Sequence, residues 1–174
     1  SKIFNSIKPV FYEMRGKTWG VVGLGNIGTR VARIAKEMGC RVLAFKRTPV
    51  DEFQCVDIKT LLKESDIVTL HTPLNDETKE LINKDTLSIM KDSAILVNVA
   101  RGAVVNEEDV TKAIEDKKIG AYGTDVYTTE PLREDSPYNR ILDCENIIFT
   151  PHMAWGAKES RQRCVDEVIE NIKS

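Results

Sequence analysis

The segment Thr18–Gly28 sets an apolar, partly β-branched run directly before glycines at positions 23, 25 and 28. A helical pattern follows at once. Ile27, Val31, Ile34 and Ala35 recur at helical spacing, Arg30, Arg33, Lys36 and Glu37 take the other face, and Gly39 supplies the stop. A strand that turns straight into a helix through three spaced glycines is the strongest constraint in this chain. Gly23 permits the tight turn, Gly25 lets a ligand approach bare backbone, and Gly28 lets the helix pack close to the strand. The free N–H groups and partial positive charge at the helix start suit a phosphate, which points to a dinucleotide. A turn with no ligand, and an S-adenosylmethionine site, remain open on this pattern alone.

Beyond the turn, short apolar runs alternate with amphipathic stretches. Strands are predicted at Thr18–Val22, Arg41–Phe45, Ile67–Leu70, Ala94–Val97, Ile119–Gly123 and Ile147–Phe149. Helices are predicted at Asn26–Met38, Ile58–Glu64, Asn83–Met90, Glu107–Asp116 and Ala157–Ile172. Short apolar strands separated by helices imply an α/β fold, a doubly wound parallel sheet of the Rossmann kind with helices on both faces. Ligands in such folds sit beyond the C-terminal ends of the strands. Gly23, Asn98, Asp125 and the Pro151-His152 pair all fall there.

Composition removes several function classes. The net charge is −2 with acids and bases interspersed, so there is no basic footprint for nucleic acid. No apolar run approaches the ~18 residues of a membrane span, and the first residues lack the apolar segment of a secretory signal. Cys40, Cys55, Cys144 and Cys164 form no CxxC pair, which reads as reduced thiols in a cytoplasmic protein. With only His71 and His152 besides, no metal site is expected.

The second strand ends in Lys46-Arg47-Thr48. An NAD site usually carries an acid there, to accept from the adenine ribose. Lys and Arg attract a 2′-phosphate instead, and a charge-assisted hydrogen bond contributes ~1.5–3 kcal/mol. NADP is therefore favoured over NAD; solvated surface charges that tolerate NAD are the alternative.

Five blocks, in order, then carry a resemblance: GKTWGVVGLGNIGTRVA, DIVTLHTPLNDETKELI, AILVNVARGAVVNEEDV, GTDVYTTEP and NIIFTPHMAWGAKESRQR. From about Arg15 to its end the chain resembles the NAD(P)-binding domain of D-isomer-specific 2-hydroxyacid dehydrogenases. The PHMAW and ESRQR segments look most like the glycerate dehydrogenase (hydroxypyruvate reductase) branch. The resemblance implies three catalytic residues: Arg101 in N-x-A-R-G, Glu130 in the E-P pair, and His152 in the P-H pair. Their chemistry suits reduction of a small 2-keto acid, hydroxypyruvate or glyoxylate for preference. A histidine titrates near neutrality and can give a proton to the carbonyl oxygen; a carboxylate beside it orients the ring. Arginine offers a donor fork to the carboxylate and polarises the keto oxygen. Taken singly, each has a bland reading: a surface or sheet-edge arginine, a turn acid, a structural histidine.

The same resemblance implies cofactor contacts from Asn26 and Ile27 beside Gly23, Gly25 and Gly28 in the phosphate turn, whereas Lys46 and Arg47, which depart from the usual acidic residue, are candidate contacts on their charge. Pro73 and Thr78 fall where the chain passes the cofactor. Val99, Ala100, Arg101 and His152 fall beside the nicotinamide, and Asp125 at its carboxamide. His71 is read as lining or structural.

Residues 1–16 are expected to form an interdomain linker or helix and 17–174 the dinucleotide-binding domain, with the substrate domain absent from this chain. The chain alone would then bind cofactor and turn over poorly, because half the substrate site is missing. Full-length relatives are expected to be homodimers through this domain, and the apolar stretch around Ala121–Tyr127 is compatible with that. A dinucleotide-sensing module without catalysis, as in related corepressors, is the alternative function.

Overall fold

The computed structural model describes residues 11–48 and 50–173. Seven strands form one sheet: β1 (Thr18–Val22), β2 (Arg41–Phe45), β3 (Gln54–Cys55), β4 (Ile67–Leu70), β5 (Ile95–Asn98), β6 (Ala121–Thr124) and β7 (Ile147–Phe149). The order is β3-β2-β1-β4-β5-β6-β7, and every pairing is parallel. The winding reverses between β1 and β4, so the crevice for a ligand opens at their C-terminal ends. One strand more is present than the sequence predicts. β3 has two residues, one of them polar, and no alternation; pairing with Leu43 and Ala44 creates it.

Among the described residues, five α-helices accompany the sheet: α1 (Asn26–Glu37), α2 (Ile58–Glu64), α3 (Lys84–Ser88), α4 (Glu107–Glu115) and α5 (Lys158–Lys173). Alternate residues of each strand serve opposite faces. Val22, Leu43, Val68, Leu70, Leu96 and Tyr122 meet Leu61 and Leu62 of α2, Leu87 of α3, and Val110 and Ile114 of α4 in one continuous core. The other face packs Val21 and Ala44 against Ala32 of α1 and Phe53. Toward β7 that second face opens to solvent, and Ile148 stays exposed. No residue of α5 is buried.

Two expectations change. The buried stripe of α1 is Gly28, Ala32 and Ala35, whereas Ile27 and Ile34 are exposed. A Cβ on Gly28 would lie 1.9 Å from the Gly23 carbonyl oxygen. The helix is pressed onto the turn through its smallest residues, which rotates the bulky aliphatics outward. The stretch Ala121–Tyr127 offers little free surface, because Tyr122, Thr124, Asp125 and Val126 are buried in the sheet and its exit. Of the expected linker or helix at 1–16, residues 1–10 lie outside the described residues, and 11–16 contain no helix. All four cysteines are free thiols.

Candidate active site

The first part of the site is a groove of about 590 Å³ at the switch point, within the ~300–1,000 Å³ of ordinary small-molecule sites. The Gly23–Gly25 turn forms its floor. Lys46, Arg47 and Thr48 from the end of β2 form one wall, and His71, Thr72 and Pro73 after β4 form the other. Gly23 has φ +94°, and a Cβ there would press on the His71 carbonyl at 2.9 Å. Gly25 differs, because a Cβ on it would meet nothing within 4 Å and would project into free space. An open backbone face above a helix N-terminus is the surface a pyrophosphate needs. The residues present therefore fit a dinucleotide.

Of the predicted contacts, Gly23, Gly25, Lys46, Arg47, Pro73 and Thr78 share this groove. Thr78 acts within the loop. Its hydroxyl donates to the Pro73 carbonyl at 2.6 Å and accepts from the Asn75 amide at 2.9 Å, which closes the 73–78 turn. Arg47 faces Glu77 at 3.9 Å, a loose pair with both partners exposed and so worth little. Phe45, Asn75, Glu77 and Leu81 also line the groove and were not foreseen. They sit at the end of β2 and on the loop after β4, which only the tertiary pairing of β1, β2 and β4 brings together.

The second part lies at the ends of β5, β6 and β7. Asn98, fully buried as the last residue of β5, clasps the loop after it. Its amide nitrogen donates to the Arg101 carbonyl at 3.0 Å, and its oxygen accepts from the Ala100 amide at 3.0 Å. Val99, Ala100 and Arg101 are thereby held in a fixed bend, with the Arg101 guanidinium donating to the Ala100 carbonyl at 2.7 Å. The next residue, Gly102, lies hard against the loop after β6. A Cβ on it would fall 2.0 Å from the Tyr127 carbonyl carbon. Glu107, the first residue of α4, reinforces that contact by accepting from the Thr128 amide at 2.7 Å. The Arg101 loop and the Glu130 loop are therefore seated on each other.

His152 Nδ1 lies 2.7 Å from Glu130 Oε2. The other carboxylate oxygen of Glu130 accepts from the Tyr127 amide at 3.0 Å. Together the His152 ring and that amide hold the Glu130 carboxyl below its usual range. With Nδ1 occupied, Nε2 is the nitrogen left to face a substrate. His152 has φ +51°, in the left-handed region, so its backbone needs support. Asp125 provides it. Its Oδ1 accepts from the Thr150 hydroxyl at 2.5 Å and the Met153 amide at 2.9 Å, and its Oδ2 from the Ala154 amide at 2.8 Å. Burial pushes the Asp125 carboxyl up, but these hydrogen bonds outweigh it and hold it below the ordinary value. The sequence pointed to Asp125 but not to this work on the His152 loop. Among the described residues no cluster of His, Cys, Asp or Glu is arranged to hold a metal.

Residues 2–154 match the family model described as D-isomer specific 2-hydroxyacid dehydrogenase, NAD binding domain. The chain belongs to that family. It is 39% identical to the glycerate dehydrogenase of Methylorubrum extorquens, an alignment covering 100% of this chain and 54% of that protein. Two solved structures share the fold. The D-lactate dehydrogenase of Lactobacillus jensenii with NAD+ aligns at a TM-score of 0.84 and 34% identity, covering 90% of this chain and 52% of the other. An acyclic imino acid reductase (Bsp5) in complex with NADPH and D-Arg aligns at 0.87 and 34%, covering 99% and 56%. The chain thus spans about half the length of the relatives it matches. In this NAD-binding domain the Arg, Glu and His expected from the sequence all stand at the C-terminal edge of the sheet, on the loops after β5, β6 and β7.

Proposed function

We propose that this chain is the cofactor-binding half of an NAD(P)-dependent D-2-hydroxyacid dehydrogenase that reduces a small 2-keto acid, with hydroxypyruvate or glyoxylate favoured. The observation that carries the reading is the 2.7 Å Glu130–His152 pair at the same sheet edge as the glycine-turn groove. When bound, the dinucleotide supplies the hydride for the keto carbon. His152 gives its Nε2 proton to the oxygen, which becomes the hydroxyl, and Glu130 holds the ring oriented throughout. Arg101 takes the substrate carboxylate and polarises the keto oxygen. The Gly23–Gly28 turn, with Asn26 and Ile27, receives the pyrophosphate. Val99, Ala100 and Asp125 serve the nicotinamide end, with Asp125 reaching the carboxamide through lone pairs its loop bonds leave free. Exposure of Arg101 and Glu130, with His152 half-buried, supports a reading in which a further part of the enzyme closes over substrate and the chain alone turns over poorly.

NADPH is favoured over NADH because Lys46 and Arg47 line the groove where an acid would repel a 2′-phosphate. The weak Glu77 contact is readily exchanged for a phosphate. A cytoplasmic homodimer formed through this domain is part of the same proposal, supported by the apolar side chains left exposed at Ile34, Met38 and Ile148. No helix among the described residues is long and apolar enough to cross a membrane.

Calorimetric titration with NADPH and NADH side by side tests the cofactor reading. Tighter NADPH binding, reversed in Lys46→Asp, supports it; tighter NADH binding removes the preference and leaves the family intact. Turnover of hydroxypyruvate by the complete enzyme separates a dehydrogenase from a dinucleotide sensor on the same scaffold. His152→Ala should cut turnover by ~10²-fold or more while leaving cofactor affinity within a few-fold. Equal losses in both would remove the acid–base role.

A further inference from the structure

Among the described residues, three buried side-chain polar atoms have no hydrogen-bond partner: Ser65 Oγ and both ring nitrogens of His71. Ser65 lies beneath Gly20, against Leu61, away from the groove. His71 is the one that lines it.

Its position is fixed from several sides. His71 is the first residue after β4, and its amide donates to the Val22 carbonyl at 2.7 Å, so it stands level with the start of the glycine turn. Its carbonyl abuts Gly23, and its Cβ would lie 3.3 Å from a Cβ on Gly28. The side chain is therefore wedged under the phosphate turn, at the point where the sheet reverses its winding. A neutral imidazole carries one N–H donor and one acceptor, and buried polar groups of folded proteins almost always find partners. Neither the turn nor the opposite wall supplies one. Burial keeps the ring neutral by pushing its pKa down to about 4. The ring can therefore contribute a directed donor but no charge.

We propose that His71 is a cofactor-binding residue whose ring, with both nitrogens covered in this structure, turns toward the groove on binding so that its N–H donates to an oxygen of the ribose–pyrophosphate chain of the dinucleotide. This rests on the dinucleotide reading of the groove. The acceptor class follows from the chemistry. The atoms that come against a glycine turn at a helix N-terminus are phosphate and ribose oxygens, and those accept from a neutral N–H. A neutral donor suits the site, because the turn and α1 already provide positive potential, while a phenyl ring of similar size would leave the oxygen short of one bond.

The test combines calorimetry and nuclear magnetic resonance on this chain. NADH and NADPH are titrated into wild type, His71→Phe and His71→Gln, with thermal unfolding of each variant in the absence of dinucleotide. The proposal expects His71→Phe to weaken binding about tenfold with no loss of thermal stability, and His71→Gln, which keeps a donor, to stay within about threefold. It also expects the His71 ring nitrogen resonances of wild type to move when NADH is added, a readout that needs no variant to fold. Wild-type affinity in His71→Phe, or unmoved ring resonances at saturating NADH, overturns the proposal and leaves the dinucleotide site standing. Equal loss of affinity and stability in both variants makes the ring a packing element and also overturns it. Failure of wild type to bind either dinucleotide takes down the underlying reading as well.

Discussion

The glycine-turn groove and the Arg101–Glu130–His152 loops lie along one edge of one sheet, yet they are built by different means. The groove is made of backbone. Its floor is a single contiguous segment, Gly23–Gly25, and its geometry depends on side chains that are not there. The Arg101, Glu130 and His152 loops are made of side chains from three strand ends, spread over some fifty residues and fastened by Asn98, Glu107 and Asp125. A motif of the first kind fails when an atom is added. A motif of the second kind fails when a fastening is lost, while the fold survives.

That contrast can be broken at chosen positions. The largest effect is expected from Gly28→Ala, whose Cβ would overlap the Gly23 carbonyl oxygen. Urea unfolding should show a loss of ~3–4 kcal/mol, and dinucleotide binding should vanish with it. If binding persists, the turn is not the floor of the site. Next is Gly102→Ala, which would push the Arg101 loop off Tyr127 and Thr128. A cost of ~2–3 kcal/mol is expected by the same measurement. In the complete enzyme, turnover should fall further than cofactor affinity, since the displaced loop carries Arg101.

Gly25→Ala sharpens the comparison from the other side. Its backbone, at φ −85° and ψ −161°, accepts an alanine, and the new methyl meets no protein atom. Stability should stay within about 0.5 kcal/mol of wild type or rise slightly, because alanine reduces the freedom of the unfolded chain. NADH affinity should nevertheless drop about tenfold by calorimetry, since the methyl occupies the ligand's approach. Unchanged affinity would place the pyrophosphate elsewhere.

A pH experiment follows from His71. Its folded pKa of about 4 lies below the ~6.5 of an unfolded chain, so between those values the unfolded state binds more protons. Stability from this group is therefore complete above pH ~6.5 and is lost as pH falls toward 4. Urea midpoints from pH 4 to 7 should fall more steeply in wild type than in His71→Phe, with carboxylates such as Glu130 common to both. Parallel curves would show that the ring is hydrated rather than buried. The smallest effect is reserved for Arg140, which pairs with Glu108 and Glu115 on the surface. Arg140→Ala should leave the urea midpoint close to wild type and the cofactor titration untouched.

Much of the groove was legible because its signals are local. A glycine needed for close approach or an apolar strand run declares itself within a few residues. The proposed catalytic role of Arg101, Glu130 and His152 came only through a resemblance of whole blocks, since each taken singly reads as an ordinary surface or structural residue. α1 shows where local pattern misleads. Ile27 and Ile34 carry the apolar periodicity, but contact between Gly28 and the Gly23 carbonyl sets the helix rotation. β3 was missed because two residues contain no periodicity; its existence depends on β2 beside it.

The sequence by itself determined the element types apart from β3, the parallel α/β class and the glycine turn, because each rests on conformational preference or on a motif contiguous in the chain. Only the tertiary structure decided which nitrogen of His152 Glu130 holds, that Asp125 clasps the His152 loop, that Gly102 seats one catalytic loop on another, and that His71 stands unpartnered under the phosphate turn. Those facts depend on distances between residues tens of positions apart, and such distances exist only once seven strands have paired in one register.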